Sequence, residues 1–368
     1  MNVRNFRKIE WWIPLCAIIL CGIGLVALFS ASYDSGLDEF KKQAMWMGIS
    51  IGIMVVVMLI DYKILIKLSP ILYGIAILSV IAVLFTKPIS GARSWFVIGN
   101  DLFSFQPAET AKVFVILFLA YVISTIQKNG RDEINRIPKL AIILLTIAVP
   151  VLLIIIEPDY GTATAYIVAF LVMIFVAGID KKYIISAIAV VIIAVPLIYN
   201  FVLPQHAKSR IDTFLHPESD PKGAGYNILQ SKLAIGAGEV TGMGVLKGNQ
   251  TQLGYLYPKT TDFIYSVIGE EMGFVVACSV ILLNVVIITK SIQVAKGIKD
   301  DAGSYVAAGI AGIFLFHTLE NIGMTMGLLP ITGVPLLFVS YGRKFNDNKF
   351  LMFRNFTKYK QSKKKWNV

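Results

Sequence analysis

The sequence predicts an all-α fold: a polytopic bundle of about nine transmembrane helices with one large loop on the outer side of the membrane. Hydrophobic residues make up 56% of the 368 residues and charged residues only 15%, whereas soluble domains carry about 25% charged residues. Apolar stretches of about 18 residues or more can cross about 30 Å of hydrocarbon. Such stretches occur near 11–31, 43–60, 68–86, 108–126, 140–156, 160–179, 183–203, 263–289 and 303–328.

The distribution of basic residues predicts the orientation of the bundle. The first span follows a short basic tail without a small-residue cleavage site, so we expect a retained helix and not a signal peptide. With the N-terminus cytoplasmic, the inner loops are rich in Lys and Arg and the outer loops are not, as the positive-inside rule requires. The inner basic residues are Lys63, Lys67, Lys128, Arg131, Arg136, Lys139, Lys181, Lys182, Lys290, Lys296 and Lys299. The net charge of +11 therefore reports topology and argues against nucleic-acid binding.

The start of the fourth span contains two residues of opposite charge. Pro107 suits the first turn of a helix, which places Glu109 and Lys112 at positions i and i+3 on one face inside the apolar region. Such charges are costly in hydrocarbon unless they are paired or face protein or water. The pattern predicts either a structural ion pair or a polar substrate cavity.

Two acidic residues, Glu157 and Asp159, lie in the short turn EPDYGTATA at 157–165. Pro158 and Gly161 are explained by the turn itself. Asp159 is suited to capping the next helix, but capping does not explain two acids near the membrane surface. A role in a functional site is the alternative.

The outer loop, 204–262, is too long for a simple turn, and loops of this kind are usually functional or disordered. Its mixed composition predicts an ordered, functional loop, and the spacing of 228–238 predicts a helix at the membrane interface. Its cations and amides suit an anionic, sugar-bearing ligand such as a lipid diphosphate; solvated surface charge is the alternative. These residues are Arg210, Lys222, Tyr226, Gln230 and Lys232.

Asp262 is the strongest candidate for chemistry. It lies where the outer loop meets an apolar span, in YLYPKTTDFIYSVIGEEMG at 255–273. The alternative is a carboxylate that caps the helix. Further on, Gly327, Pro330, Gly333 and Pro335 interrupt an apolar stretch. Such broken backbone is tolerated where it is buried in protein or lines a cavity, and a tight outer turn is the other interpretation.

Six ordered motifs in these segments resemble those of the SEDS family (shape, elongation, division and sporulation), whose representatives are RodA and FtsW. They are GAR-W, QP-E--K, PD-GTA, DP-G-GYN--QS--AIG-G, TDFI followed by GEE-G, and NIGM---LLP-TG-P--F-SYG. The resemblance covers residues 1–342, is greatest to RodA, and implies a ten-helix bundle. Its departures include Pro258 and Thr260 before the TDF motif and Leu337 in the last one.

The resemblance implies an inverting peptidoglycan glycosyltransferase of the bacterial plasma membrane that polymerises lipid II for cell-wall elongation beside a class B penicillin-binding protein. It places the catalytic aspartate on Asp262. The motifs and the loop together give the substrate-binding candidates Arg93, Trp95, Gln106, Glu109, Lys112, Asp159, Arg210, Gln230 and Lys232. No metal-ligating residues are predicted, although a divalent cation (Mg²⁺ or Mn²⁺) is an alternative to Lys and Arg for stabilising the diphosphate. A lipid-precursor flippase and a non-catalytic scaffold for the penicillin-binding protein are the competing functions.

The tail, 343–368, departs from the resemblance. After SYG the family continues with Gly-Ser-Ser and a tenth helix, whereas this tail is basic and too broken by charge to span. Codons allowed for 343–358 can be chosen so that dropping one base yields Gly-Ser-Ser and an apolar segment. We therefore predict a single-base frameshift near codon 343, which leaves the chain as it stands poorly folded and inactive.

Overall fold

The computed structural model describes residues 10–59, 62–87, 93–98, 103–202 and 205–342, and these form a helical, multi-pass membrane protein. One short antiparallel hairpin accompanies the helices and pairs β1 (Phe96–Ile98) with β2 (Phe103–Phe105). The helices are α1 (Trp12–Ala31), α2 (Asp38–Leu59), α3 (Tyr62–Val83), α4 (Pro107–Ile126), α5 (Ile137–Ile156), α6 (Tyr160–Ala177), α7 (Lys181–Leu197), α8 (Gln205–Leu215), α9 (Ala224–Ala237), α10 (Asn249–Gln252), α11 (Ile264–Gly297) and α12 (Asp301–Thr325).

Eight of the described helices are long and apolar enough to cross a membrane, which confirms the helical membrane bundle. They correspond to eight of the predicted spans. The remaining predicted span, 43–60, coincides with α2, a helix of 22 residues that begins with charged residues. The tail, 343–368, for which a frameshift is predicted, lies outside the described residues.

The centre of the bundle is α12, of whose most apolar window 83% is buried. Small residues let it approach its neighbours closely, as is usual between membrane helices. A β-carbon on Gly312 would lie 2.7 Å from the Cα of Ala169 on α6, and one on Gly309 would lie 2.9 Å from the Ile116 side chain on α4. The sequence GIAGIF thus allows α12 to pack against both helices.

The outer loop is ordered where it is described and carries α8, α9 and α10. The predicted helix at 228–238 corresponds to α9, which packs against α11 and α12 and is not simply laid on the membrane surface. Ser231 of α9 is fully buried and contacts both helices: its hydroxyl lies 2.6 Å from the Ser266 hydroxyl and donates to the Thr325 carbonyl at 2.6 Å.

A break in α11 fixes the end of this loop. Gly273 has φ 79° and ψ −179°, which interrupts the helix. The carbonyl of Glu270 accepts a hydrogen bond from Met243 N–H at 2.9 Å, and the carbonyl of Glu271 accepts one from Gly244 N–H at 3.0 Å. Backbone groups freed by the break are therefore paired with the loop, as buried backbone must be.

The side chains of Glu270 and Glu271 strengthen the same junction from inside. The Glu270 carboxylate accepts hydrogen bonds from the Thr251 amide at 3.0 Å and the Thr251 hydroxyl at 2.6 Å. The Glu271 carboxylate accepts one from the Ser30 hydroxyl of α1 at 2.7 Å and one from Gln252 at 2.8 Å. These two acids, which the sequence alone does not explain, join the loop to α1 and α11.

Candidate active site

Asp262 lies one residue before the N-cap of α11 and is half-buried. The residue at the N-cap is Phe263, whose side chain makes no capping hydrogen bond. Gly333 passes beside the carboxylate: a β-carbon on Gly333 would lie 3.6 Å from Asp262 Oδ2. The carboxylate is therefore placed at the end of the bundle, next to the irregular segment that follows α12.

Hydrogen bonds from that segment and from α12 hold the backbone around Asp262. Asn321 Nδ2 donates to the Asp262 carbonyl at 3.1 Å and to the Val334 carbonyl at 2.9 Å. The Ser340 hydroxyl donates to the Thr261 carbonyl at 2.8 Å, and Tyr341 N–H donates to the Thr260 carbonyl at 3.0 Å. Three points of attachment thus fix residues 260–262, which is the preorganisation that a catalytic carboxylate needs.

The segment from Gly327 to Gly342 is irregular: its second half, from Val334 to Tyr341, is almost entirely buried in protein, whereas Leu328 and Gly333 in its first half are exposed. Leu336 and Val339 are almost completely buried. A β-carbon on Gly24 of α1 would lie 2.6 Å from the Val339 carbonyl, so the segment is in close contact with that helix. The bundle therefore encloses the second half of the segment, while Gly333 beside the Asp262 carboxylate stays exposed.

A second polar group joins the start of α4 to the turn before α6. Asp159 caps α6 by accepting a hydrogen bond from Thr162 N–H at 3.0 Å, and its other oxygen accepts one from Gln106 Nε2 at 2.7 Å. Burial raises the pKa of Asp159, and the hydrogen bond from Thr162 opposes that increase. Capping and membership of a polar site are thus both correct for Asp159.

Glu109 and Lys112 form the predicted ion pair, with Lys112 Nζ 2.5 Å from Glu109 Oε1. The Lys112 side chain is 2% exposed and that of Glu109 is 16% exposed. Lys112 Nζ also lies 3.1 Å from His317 Nε2 of α12, and His317 Nδ1 lies 2.9 Å from the Pro335 carbonyl. The pair is therefore connected to the irregular segment beside Asp262.

Direct packing also joins the turn before α6 to this segment. A β-carbon on Gly161 would lie 2.7 Å from Val334 Cγ2 and 3.1 Å from Thr332 Cβ. The Thr332 hydroxyl donates to Glu320 Oε1 at 2.7 Å. Gln106, Glu109, Lys112, Asp159 and Asp262 consequently belong to one end of the bundle.

Glu157, next to this group, is a buried acid of unusual environment. It is 0% exposed, and neither carboxylate oxygen has a hydrogen-bond partner in the described part of the chain. Burial and the nearby Asp159 charge raise the pKa of Glu157 to about 8. A carboxyl group with this pKa is largely protonated at neutral pH.

The remaining predicted site residues belong to other segments of the chain than the Glu109–Lys112 pair. Arg93 is exposed and donates to the Leu84 carbonyl at 3.4 Å, and Trp95 is half-buried. Arg210 is exposed on α8, while Gln230 is half-buried on α9. Lys232 is exposed, yet its ammonium lies over Gly327 at the end of α12, 2.6 Å from the position of a β-carbon there.

Sequence reasoning missed three polar residues of α12 that the structure places in the site: His317, Glu320 and Asn321. All three lie inside an apolar span and are at most 6% exposed. Polar side chains inside a membrane span are functional candidates by default, so their position in 301–325 was an available signal.

The comparisons with known proteins agree with this architecture. The FtsW/RodA/SpoVE family, described as cell cycle proteins, matches residues 10–343. Peptidoglycan glycosyltransferase MrdB of Escherichia coli K12 is 35% identical over 89% of this chain and 88% of its own. Stage V sporulation protein E of Bacillus subtilis 168 is 34% identical over 89% and 90%. RodA of Treponema pallidum is 29% identical over 93% and 95%.

Two solved structures share the fold. One, titled as a peptidoglycan synthase complex that coordinates polymerization and crosslinking, aligns with a TM-score of 0.79 at 24% identity over 95% of this chain and 97% of its own. The other, the rod-shape-determining protein RodA of Thermus thermophilus, aligns with a TM-score of 0.71 at 23% identity over 98% of both chains.

The fold and the polar group at one end of the bundle thus define a class of polytopic helical membrane proteins with an ordered outer loop. Within that class, this chain belongs to the FtsW/RodA/SpoVE family, the family that the six motifs indicate.

Proposed function

We propose that this chain is a peptidoglycan glycosyltransferase that polymerises lipid II into glycan strands for cell-wall elongation. Relatives that match across about nine-tenths of the chain are named peptidoglycan glycosyltransferases. The observation that carries the proposal is the half-buried Asp262: hydrogen bonds from α12 and the segment after it hold the backbone at Asp262 and Thr261, and the carboxylate lies beside Gly333. Such a group is suited to general-base catalysis.

In the proposed reaction, Asp262 accepts the proton of the acceptor sugar hydroxyl. The hydroxyl oxygen then attacks the anomeric carbon of the donor sugar, and the bond to the lipid diphosphate breaks with inversion. The diphosphate leaves with the bonding electron pair, and cations stabilise its developing charge. The diphosphate can be bound by three exposed cations: Arg93, Arg210 and Lys232.

A second role, shaping the polar end of the bundle, is proposed for Gln106, Glu109, Lys112 and Asp159. Because Lys112 is almost completely buried and paired with Glu109, it is better placed to shape the polar end of the bundle than to bind the large diphosphate directly. Trp95 and Gln230 are half-buried and offer contact area at the edge of the site.

A divalent cation, Mg²⁺ or Mn²⁺, is an alternative source of positive charge. Among the described residues, no three His, Cys, Asp or Glu side chains come together as a metal site. Mg²⁺ is often held by one or two carboxylates together with phosphate oxygens, and Asp262 with a bound diphosphate fits that description. No step of the reaction above runs through the ion.

For the partner and the location, we propose a class B penicillin-binding protein in the bacterial plasma membrane, with the N-terminus of this chain in the cytoplasm. A structural neighbour at a TM-score of 0.79 is part of a peptidoglycan synthase complex with a crosslinking activity. The basic inner loops support the orientation. Co-purification with that partner, and labelling of cysteines introduced into the outer loop, test these two proposals.

The function is tested by glycan-strand synthesis from purified lipid II, with the chain as it stands and with the frame-restored chain. Asp262→Asn should lower the rate by about 100- to 10,000-fold, since it keeps size but removes proton acceptance. Asp34→Asn is the matched control: Asp34 is an exposed acid that contacts Lys259 at 3.7 Å. Undiminished polymerisation by Asp262→Asn would remove it from the mechanism.

The same assay separates the competing functions. A flippase moves labelled lipid II across proteoliposome membranes without making strands, and a scaffold supports strand synthesis only through its partner. Absence of strands from both forms of the chain, with lipid II translocation intact, would replace the polymerase proposal with the flippase.

A further inference from the structure

His317 is a buried histidine in the middle of α12 that no step of the proposed reaction uses. Its side chain is 1% exposed, and both ring nitrogens have partners from other parts of the chain. Nε2 lies 3.1 Å from Lys112 Nζ of α4, and Nδ1 lies 2.9 Å from the Pro335 carbonyl. A buried polar ring without such partners would be strongly destabilising.

The chemistry of the two partners determines the tautomer of His317. A lysine ammonium has three donors and no acceptor, and a carbonyl oxygen has no donor. Nε2 must therefore accept from Lys112, and Nδ1–H must donate to the Pro335 carbonyl. Only the neutral imidazole with its hydrogen on Nδ1 satisfies both contacts, so the ring acts as a directional bridge from α4 to the irregular segment.

The two residues before Pro335 in the sequence are close to Asp262 or share a hydrogen-bond donor with it. The preceding residue, Val334, offers its carbonyl to Asn321, which also donates to the Asp262 carbonyl. Gly333, two residues before Pro335, passes beside the Asp262 carboxylate. A shift of the Pro335 carbonyl therefore moves the backbone that contacts Asp262.

We propose that His317 is a positioning residue: by bridging the Lys112 ammonium and the Pro335 carbonyl, it holds the irregular segment where it fixes Asp262. This inference rests on the proposed function for its kinetic consequences, but not for its structural ones. In the proposed reaction His317 does not contact the reacting sugar, and so it acts on the reaction through its neighbours.

Three substitutions separate the two contacts of the bridge. His317→Leu removes both while keeping an apolar side chain of similar reach. His317→Gln places an amide near the position of Nε2 and keeps the Lys112 contact, whereas His317→Asn places one near Nδ1 and keeps the Pro335 contact. Thr318→Val is the matched control, because this neighbouring hydroxyl is buried and has no hydrogen-bond partner in the described part of the chain.

Two measurements are made on each variant, in the chain as it stands and in the frame-restored chain. The first is hydrogen exchange of the backbone amides at 336–341. We expect His317→Leu to speed this exchange about 10-fold or more, because a lost buried hydrogen bond weakens local stability. The second is the kcat and KM of lipid II polymerisation. We expect kcat to fall about 100-fold in His317→Leu with little change in KM, since misplacement by about 1 Å can have that effect.

The bridge predicts that Gln and Asn each recover part of what Leu loses, and that Thr318→Val resembles the unaltered chain in both measurements. Full recovery by Gln alone, or normal exchange at 336–341 in the Leu variant, would overturn the bridge. If the Leu variant fails to fold, the Gln and Asn variants still decide between one contact and two. A third outcome separates the two proposals. If the exchange rates differ as expected but the unaltered chain makes no strands, the proposed function is refuted and the bridge stands.

Discussion

Removing the charge of Lys112 should damage the protein more than removing both charges of the Glu109–Lys112 pair. The change is Lys112→Met, which keeps the length of the side chain, compared with the double variant Glu109→Gln with Lys112→Met. In the single variant the Glu109 carboxylate stays in the bundle without the ammonium that lies 2.5 Å from it. In the double variant no uncompensated charge remains.

The size of the effect follows from burial. Breaking a buried ion pair by removing one partner is destabilising by about 3–5 kcal/mol. Because the Glu109 side chain is still 16% exposed, some water can solvate the remaining carboxylate, and we expect the lower end, about 3 kcal/mol. Replacing both charges with neutral groups of similar shape is often close to neutral, so the double variant should recover the part of the loss that comes from the unpaired Glu109 carboxylate. The contact with His317 is lost in both variants and cancels in the comparison.

The measurement is the thermal midpoint of detergent-extracted protein, read as the fraction that remains monodisperse after heating. The matched control is the exposed pair Asp180–Lys182, in which the two charges lie 2.9 Å apart and are 45% and 65% exposed. Lys182→Met should leave the thermal midpoint nearly unchanged, because exposed ion pairs contribute little to stability. The two pairs thus compare the same chemistry at different burial.

The double variant provides the decisive comparison. If its loss of stability equals the sum of the losses in Lys112→Met and in Glu109→Gln made separately, the charges do not stabilise one another, and the pairing argument is refuted. Glu109 and Lys112 would then be better explained as residues that each bind substrate.

Two further predictions concern other parts of the chain. Burial raises the pKa of Glu157 to about 8 from an ordinary value of 4.5. Between these two pH values the folded state therefore binds more protons than the unfolded state. The stability of the folded state should fall as pH rises through this window. Glu157→Gln should flatten that dependence in thermal midpoints measured from about pH 5 to pH 8; an unchanged slope would show that Glu157 is not the group responsible. For the tail, deleting one base near codon 343 should raise both the membrane-extracted yield and the polymerisation rate, because the basic tail would otherwise have to lie on the outer side against the positive-inside tendency. Resequencing the source gene is a direct check, and full activity of the chain as it stands would contradict the frameshift.

The bundle was predictable because its determinants are local. A span needs about 20 apolar residues in sequence, so eight of the predicted spans correspond to helices of the right length and hydropathy. The Glu109–Lys112 pair was predictable for a similar reason: a spacing of three residues places two side chains on one face of any helix. Asp262 also stood out, since one carboxylate before a long apolar stretch is visible without a structure.

The surroundings of these residues could not be predicted in the same way. The two interpretations of Asp262, a catalytic carboxylate and a helix cap, could not be separated by sequence; the structure places Phe263 at the N-cap of α11, with Asp262 one residue before it. Likewise, the cations Arg93 and Arg210 carry the right charge in sequence, yet they are exposed, whereas Lys112 is almost completely buried. Charge and residue type are properties of the sequence, whereas burial is a property of packing.

The sequence by itself determined the membrane bundle, the family and a candidate base, Asp262, where a long loop meets an apolar span. Only the tertiary structure decided what supports that base, because the contacts join distant parts of the chain: Lys112 meets His317 across 205 residues, and Asn321 reaches back 59 residues to the Asp262 carbonyl. The physical reason is that buried polar groups must find partners wherever packing brings them. Helix packing through small residues, and not local sequence, determines which side chains come within hydrogen-bond distance.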